Sequence, residues 1–483
     1  MGNNEELFWK KVKERDGNTH AVSFLEEGVI ITKTYEELRN DIDTMSRFLK
    51  DNKICGRIGL SGASSYLLLV SFLAIESLGY TAVCVPTLED DPELVPLLGR
   101  LGVRDVICNN VIDHQETQIN SIIQEVKRVQ ISDASEYSAI YGEGVILLTS
   151  GTMGRKKPVV LSFEGMILDA FNSALMAGCV AKSKRLYTLL PFYHAFGLTG
   201  AVLICIWEGI EICLGSNSMK MMEDISLFKP EVILAVPQMV KALNSYYRIT
   251  KKKMEENLKY IVVGGAKLEV SLIDDMLEKG VKCLEGYGIT ECSPVIAMNN
   301  PDRIVKGSVG RPLKDIEIRI HNGEIQVKGE TVFLGYALVD NEKEKVMEDG
   351  YFCTGDMGTI DDEGFLFVTG RIKDLIVLQT GENVLVTALE EKISQIPNVS
   401  DVFVYEKKKG VSGVITAAIF TLAKTDEEYD QIAEKVRLMD GLMPFERIGR
   451  IEISDKPFLR TEIGKLKRNQ DFNIIYERGI SNA

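Results

Sequence analysis

The chain has 483 residues, 45% hydrophobic and 26% charged, an ordinary globular composition that excludes a disordered, collagen-like or low-complexity polymer and leaves room for about two to four structural units. A net charge of −14 argues against a polyanion binder and so against nucleic acid as a partner, though a local basic cleft for one nucleotide is still allowed. Nine cysteines with no Cys-x-x-Cys pair and only four histidines offer no metal-ligand cluster and fit reduced thiols in a cytoplasmic protein.

Along the chain, the first residues are charged and lack the apolar stretch of a signal peptide, and Gly2 is not followed by an acylation pattern. Residues 35–50 have amphipathic helical spacing, 57–60 read as a strand, 66–78 as a helix, and 81–85 as a strand ended by Pro86. The most apolar run, 66–75, stops at Glu76 and is too short to span a bilayer, which predicts a buried helix and no integral membrane segment. This alternation predicts an α/β fold with parallel strands.

Between the apolar runs 145–148 and 159–161 lies Thr149-Ser150-Gly151-Thr152-Met153-Gly154-Arg155-Lys156-Lys157-Pro158. Glycines let successive backbone N–H groups turn toward an anion, hydroxyls add donors or a metal ligand, and lysine adds a mobile point charge. The spacing is not that of a Walker loop, and a strand rather than a helix follows. Taken alone, the segment reads equally well as a phosphate-holding loop or as a polar hairpin turn.

Further on, strands at 187–190 and 231–236 end at Pro191 and Pro237. A strand at 259–263 runs into Gly264-Gly265, a helix covers 271–279, and a strand at 281–285 runs into Gly286-Tyr287-Gly288. A strand–helix–strand unit of this length is a right-handed parallel crossover, so its glycine turns are delivered to one sheet edge, where ligands of open α/β sheets bind. From about residue 316 the pattern changes to short alternating strands at 316–320, 324–327, 357–360 and 365–368. Counting outward from the turn at 361–364 brings Asp356 and Arg371 to one end of a ribbon, where they can grip a diol or pair with each other. The tail carries helices at 387–396 and 426–438 and strands at 402–406, 414–422 and 450–453, then a loop ending in Gly464-Lys465. The predicted architecture is α/β. A large N-terminal domain, 1–372, has parallel-rich sheets with helices and a small β-barrel-like subdomain at about 315–370; a small mobile α+β C-terminal domain covers 373–483.

In this order the segments resemble the adenylate-forming superfamily of acyl- and aryl-CoA synthetases, peptide-synthetase adenylation domains and luciferases, from about Tyr35 to Arg468. Thr149, Ser150, Gly151, Thr152 and Gly154 with Lys157 resemble its phosphate loop, although Lys156 stands where a proline is usual, Pro158 for a glycine and Met153 for a threonine. Gly264, Gly265 and Ala266 resemble its adenine-side turn. Glu285, Gly286, Tyr287, Gly288, Thr290 and Glu291 resemble its most diagnostic motif, and Asp356 and Arg371 its ribose-binding pair. Lys373 matches the hinge, Gly381, Glu382 and Asn383 the loop beside the thiol tunnel, and Lys465 the C-terminal lysine.

The resemblance implies that ATP and a carboxylic acid give acyl-AMP and pyrophosphate, after which a pantetheine thiol, CoA or that of an acyl carrier protein, displaces AMP. In that scheme Lys465 bridges the carboxylate and the α-phosphate, Glu291 with Thr152 holds Mg2+, Thr290 lies near the phosphates, and Asp356 accepts the ribose hydroxyls. His194 gates the acyl pocket, as in branches that use fatty or aromatic acids. Residues 157–162 and 286–294 resemble most the long-chain fatty acyl branch. A carrier-protein loading enzyme is the competing reading and a non-catalytic nucleotide or acyl sensor the remote one; Lys407-Lys408-Lys409 is a candidate for the CoA 3′-phosphate.

Overall fold

The computed structural model describes residues 4–109, 126–132, 134–135, 138–150, 156–178, 180–338, 346–378, 382–409, 412–460, 466–468 and 470–480. The chain divides into two compact units, one of residues 1–319, 326–353 and 361–366, the other of 320–325, 354–360 and 367–483.

The first unit is built on two large sheets. Among the described residues one has nine strands, in the order Arg311–Pro312, Val295–Met298, Lys282–Gly288, Tyr260–Val263, Val232–Ala235, Arg185–Thr188, Glu211–Leu214, His20–Glu26 and Val29–Thr34. From Lys282–Gly288 to His20–Glu26 every neighbouring pair is parallel, as the crossover pattern predicted. The other has seven, in the order Gly335–Tyr336, Lys156–Leu161, Val145–Ser150, Thr81–Val85, Arg57–Ser61, Asp105–Asn109 and Val126–Gln130. Its central strands Thr81–Val85 and Arg57–Ser61 are buried along their whole length, as parallel strands covered on both faces must be. Helix Tyr66–Ser77 is buried from Tyr66 through Glu76, which confirms the reading of the apolar run as core. Among the described residues no helix is long and apolar enough to cross a membrane.

Strand Arg185–Thr188 begins and ends two residues before its predicted bounds. Arg185 enters the sheet because Glu211 on the next strand accepts from its Nε at 3.0 Å. The strand stops early because the Thr188 hydroxyl accepts the Leu190 amide at 3.0 Å and closes a turn.

The second unit has a four-stranded sheet in the order Val399–Lys409, Ser412–Thr421, Arg450–Ser454 and Ile474–Gly479; the last strand was not foreseen. Helices Val386–Ser394 and Asp426–Arg437 cover it through Leu389, Ile393, Ile432 and Val436, packed on Val402, Val404, Ile415 and Ile419. A reciprocal capping box between Thr425 and Glu428 starts the second helix. A ribbon of Leu375–Val377 with Asn383–Leu385 precedes them.

Candidate active site

Strand register gathers the predicted turns of the first unit. Thr188 lies opposite Leu234, Ala235 opposite Val263, and Val263 opposite Glu285, so the parallel pairing ends nearly level and the loops after Thr188, Ala235 and Val263 leave at one edge; the predicted turn at 286–288 is instead a strand continuation, paired with Val295–Met298. Gly264 donates its amide to the Ala235 carbonyl at 3.2 Å, and a Cβ there would stand 2.9 Å from the Phe196 ring. Gly265 has φ +87°, which glycine adopts without strain. Phe196 belongs to the short helix Ala195–Gly197 that follows His194. The half-buried His194 ring lies 4.8 Å from that of Tyr193. Further along, Thr199 Oγ1 donates to the Ser293 carbonyl at 2.8 Å, which ties the histidine segment to the turn after Glu291.

Glu285 is 5% exposed, and its Oε1 accepts the Leu268 amide at 3.0 Å. It thereby holds the chain just after Gly264-Gly265-Ala266, the turn expected to face adenine. Gly286 and Tyr287 pair with Met298 and Ala297, and Thr290 and Glu291 form a single 3-10 turn, Thr290–Cys292. The Glu291 carboxylate accepts from the Tyr336 hydroxyl, Oε1 to Oη 2.9 Å.

Thr149 and Lys157 lie opposite each other across the two strands that flank the glycine loop; the Thr149 hydroxyl reaches the Lys157 carbonyl only at a long 3.4 Å. Lys157 Nζ stands 5.0 Å from the centre of the Tyr336 ring. Lys156 is engaged elsewhere, in an ion pair with Asp91 that holds the Asp91 carboxyl below its usual range. Of the candidates in the loop, Gly151, Thr152 and Gly154 lie outside the described residues, as does the Ser150 side chain.

Sequence reasoning missed Tyr336, which touches two of its candidates at once. No local signal marks it, since strand Gly335–Tyr336 is two residues long and gains its place by pairing with Val159 and Val160.

In the second unit Asp356 and Arg371 meet as the hairpin count predicted. Strand Tyr351–Ile360 pairs with Leu366–Arg371, and Arg371 Nε lies 3.0 Å from Asp356 Oδ1, the carboxylate 6% exposed and the guanidinium 35%. Both sequence readings of the pair require this proximity. Lys373 is exposed in the turn Ile372–Asp374, while Asn383 begins the ribbon's second strand and Glu382 immediately precedes it. Gly381 and Lys465 lie outside the described residues. Lys407 pairs with the buried Glu452 and with Glu477, carboxylates that Arg450 also contacts.

The family model described as AMP-binding enzyme matches residues 8–337. A 2-succinylbenzoate–CoA ligase from Bacillus velezensis is 28% identical, over 77% of this chain and 78% of the relative. A 2-succinylbenzoate–CoA ligase from Enterococcus faecalis is 26% identical, over 95% and 96%. The solved O-succinylbenzoate Coenzyme A Synthetase from Bacillus subtilis, in complex with ATP and a magnesium ion, matches with TM-score 0.79 at 23% identity, over 97% of this chain and 99% of that one. At that identity the likeness carries the fold: a mixed α/β architecture with a large N-terminal and a small C-terminal domain.

Proposed function

The chain belongs to the AMP-binding enzyme family, and from that premise we propose that it is an ATP-dependent acid–CoA ligase whose substrate is an aryl carboxylic acid. In the first step a carboxylate oxygen attacks the α-phosphorus of ATP and the bond to pyrophosphate breaks. In the second the CoA thiol attacks the acyl carbon and AMP leaves.

The observation that carries this reading is the assembly of Lys157, Tyr336 and Glu291 in the unit that holds the level strand ends. It combines a cation suited to phosphate with a carboxylate suited to a hard metal ion. Among the described residues no group of three or more His, Cys, Asp or Glu side chains can hold a metal ion alone. That fits Mg2+, which binds through one or two carboxylates together with substrate phosphates and water. Glu291 would hold it, and the ion would offset charge on the departing pyrophosphate.

Attack of one anion on another needs further neutralisation, which we assign to Lys465. Asp356 and Arg371 would take the ribose, with His194 near the acyl pocket. Rotation about Lys373 would exchange the lysine loop for the loop of Gly381, Glu382 and Asn383, with the mobile domain 373–483 turning on 1–372. Of the fatty and aryl acids favoured by the sequence, the aryl class is preferred, since both curated relatives described above are named for 2-succinylbenzoate. CoA is preferred over a carrier protein on the same names.

Pyrophosphate release with ATP and Mg2+ across succinylbenzoate, other aryl acids, fatty acids and amino acids tests this, for wild type and Lys465→Ala, without and with CoA. Release driven by an aryl acid, lost in the variant and completed to thioester by CoA, supports the reading. Nucleotide binding with no release for any acid would instead favour a sensor.

A further inference from the structure

Residues 331–337 run between the two elements expected to meet the nucleotide's phosphates. On one side the Phe333 amide donates to the Glu291 carbonyl at 2.8 Å, and the Ser293 hydroxyl donates to the Thr331 carbonyl at 2.7 Å. On the other, Gly335 and Tyr336 pair antiparallel with Val160 and Val159, the Leu334 amide donates to the Val160 carbonyl at 2.8 Å, and the Ala337 amide to the Pro158 carbonyl at 2.9 Å. The segment is thus a strap that stitches the strand leaving the glycine loop to the turn bearing Glu291. Phe333 backs it, its ring 4.8 Å from Tyr336 and 5.2 Å from Phe352.

Tyr336, 9% exposed, repeats the connection with its side chain. Its hydroxyl donates to Glu291 Oε1 at 2.9 Å, and its ring lies 5.0 Å from Lys157 Nζ. A phenol suits this place because it is neutral near pH 7, donates one hydrogen bond to a carboxylate without cancelling its charge, and offers a π face to a cation. A second cation in the same position would compete with a metal ion for the carboxylate. A glutamate otherwise free to rotate must also lose that freedom when it takes a metal.

We propose that Tyr336 is a positioning residue for the phosphate end of the nucleotide, holding Glu291 in the rotamer that accepts a phosphate-bound divalent cation and keeping Lys157 beside it. This rests on the ATP- and Mg2+-dependent reading above, and its test needs no turnover. A fluorescent ATP analogue is bound to the full-length protein without any acid, with EDTA and then across an Mg2+ titration, for wild type, Tyr336→Phe, Tyr336→Leu, Glu291→Gln and Glu291→Gln/Tyr336→Phe.

Tyr336→Phe keeps the ring and loses the hydroxyl. It should raise the Mg2+ concentration for half-maximal enhancement of binding about tenfold, the worth of one hydrogen bond to a charged group, and leave binding in EDTA unchanged. Tyr336→Leu should also weaken binding in EDTA by about threefold, through loss of the cation–π contact. In the Glu291→Gln background Tyr336→Phe should add little to the loss of Mg2+ enhancement, because the carboxylate whose metal-accepting rotamer Tyr336 sets is already gone, although the amide oxygen can still accept from the phenol. An Mg2+ curve for Tyr336→Phe that overlies wild type overturns the proposal, even if the variant melts lower, and so does a full additional loss in the Glu291→Gln background. If Tyr336→Leu does not fold, the Tyr336→Phe curve decides. Wild type that binds no nucleotide overturns the ligase reading and this proposal with it, whereas wild type that shows Mg2+-enhanced binding while Tyr336→Phe does the same overturns only the role of Tyr336.

Discussion

Gly288 is the position where a single methyl group separates stability from catalysis most cleanly. It ends strand Lys282–Gly288 and pairs with Val295. A Cβ added there would lie 2.1 Å from the Pro294 carbonyl oxygen and 2.8 Å from its carbon. The Ile289 amide donates to that same oxygen at 3.0 Å, a bond that closes the turn carrying Thr290 and Glu291. Relief to even a tight 3.0 Å contact needs about 0.9 Å of movement, and the obstacle is backbone rather than a flexible side-chain end. Overpacking of this kind costs about 1–3 kcal/mol, and a shift of roughly 1 Å at a reacting group costs about a hundredfold in rate.

Gly280 is the control. It has φ +82° and open space around its Cβ position, so Gly280→Ala incurs a left-handed backbone penalty of about 1–2 kcal/mol without moving the turn. Urea unfolding and acid-dependent pyrophosphate release are measured on both variants. Comparable losses of stability are expected, with activity lost only in Gly288→Ala. Wild-type turnover in Gly288→Ala, or an equal loss in Gly280→Ala, would refute the claim that this contact sets the position of Glu291.

Arg57 and Glu143 are 3% and 5% exposed and make a bidentate pair, with Nη2 to Oε2 2.6 Å and Nε to Oε1 2.8 Å. Arg57→Met strands the carboxylate and should cost about 3–5 kcal/mol in urea unfolding, part of which Arg57→Met/Glu143→Leu should recover. Glu76 lies in an apolar helix, and burial, then the Glu5 charge, raise its carboxyl well above the usual range, against a lowering bond from the Ala82 amide; burial, then the Glu164 charge, raises Glu5 in turn. Because the folded form holds its proton more tightly than the unfolded chain, the stability it contributes is complete below about pH 4.5 and is lost as pH rises through the folded-state value. Thermal melts should therefore show Glu76→Gln gaining on wild type as pH increases, and parallel curves would contradict this. Lys157→Ala should lower pyrophosphate release by about a hundredfold or more, whereas Lys156→Ala, which removes only the half-buried pair with Asp91, should stay within about threefold. Equal losses would mean that Lys156 also serves the phosphates.

What could be read from the sequence was whatever the backbone demands locally. Strand identity at 259–263 and 281–285 followed from β-branched and apolar runs, but Gly286-Tyr287-Gly288, read as a turn, continues the second strand because it pairs with Val295–Met298. The turn at Gly264-Gly265 could be read because glycine frees the backbone to turn, as Gly265 does with φ +87°, whereas the closeness of Gly264 to Phe196 could not. Asp356 and Arg371 could be paired by counting because a hairpin fixes register through its own turn. Side-chain partners set by pairing between distant strands were out of reach. Tyr336 reaches Glu291 and Lys157 only because residues 335–336 pair with 159–160, and Lys407 reaches Glu452 only across the pairing of Ser412–Thr421 with both its neighbours. The same division explains the two lysines of the glycine loop. Adjacent on a strand, Lys156 and Lys157 must point to opposite faces, so one is taken by Asp91 and the other by the Tyr336 ring. The alternation is visible in the sequence, but which face holds the carboxylate and which the aromatic ring depends on the sheet. The Tyr336 contact thus agrees with the lysine that the resemblance matched to the phosphates, Lys157, and the Asp91 pair accounts for the other.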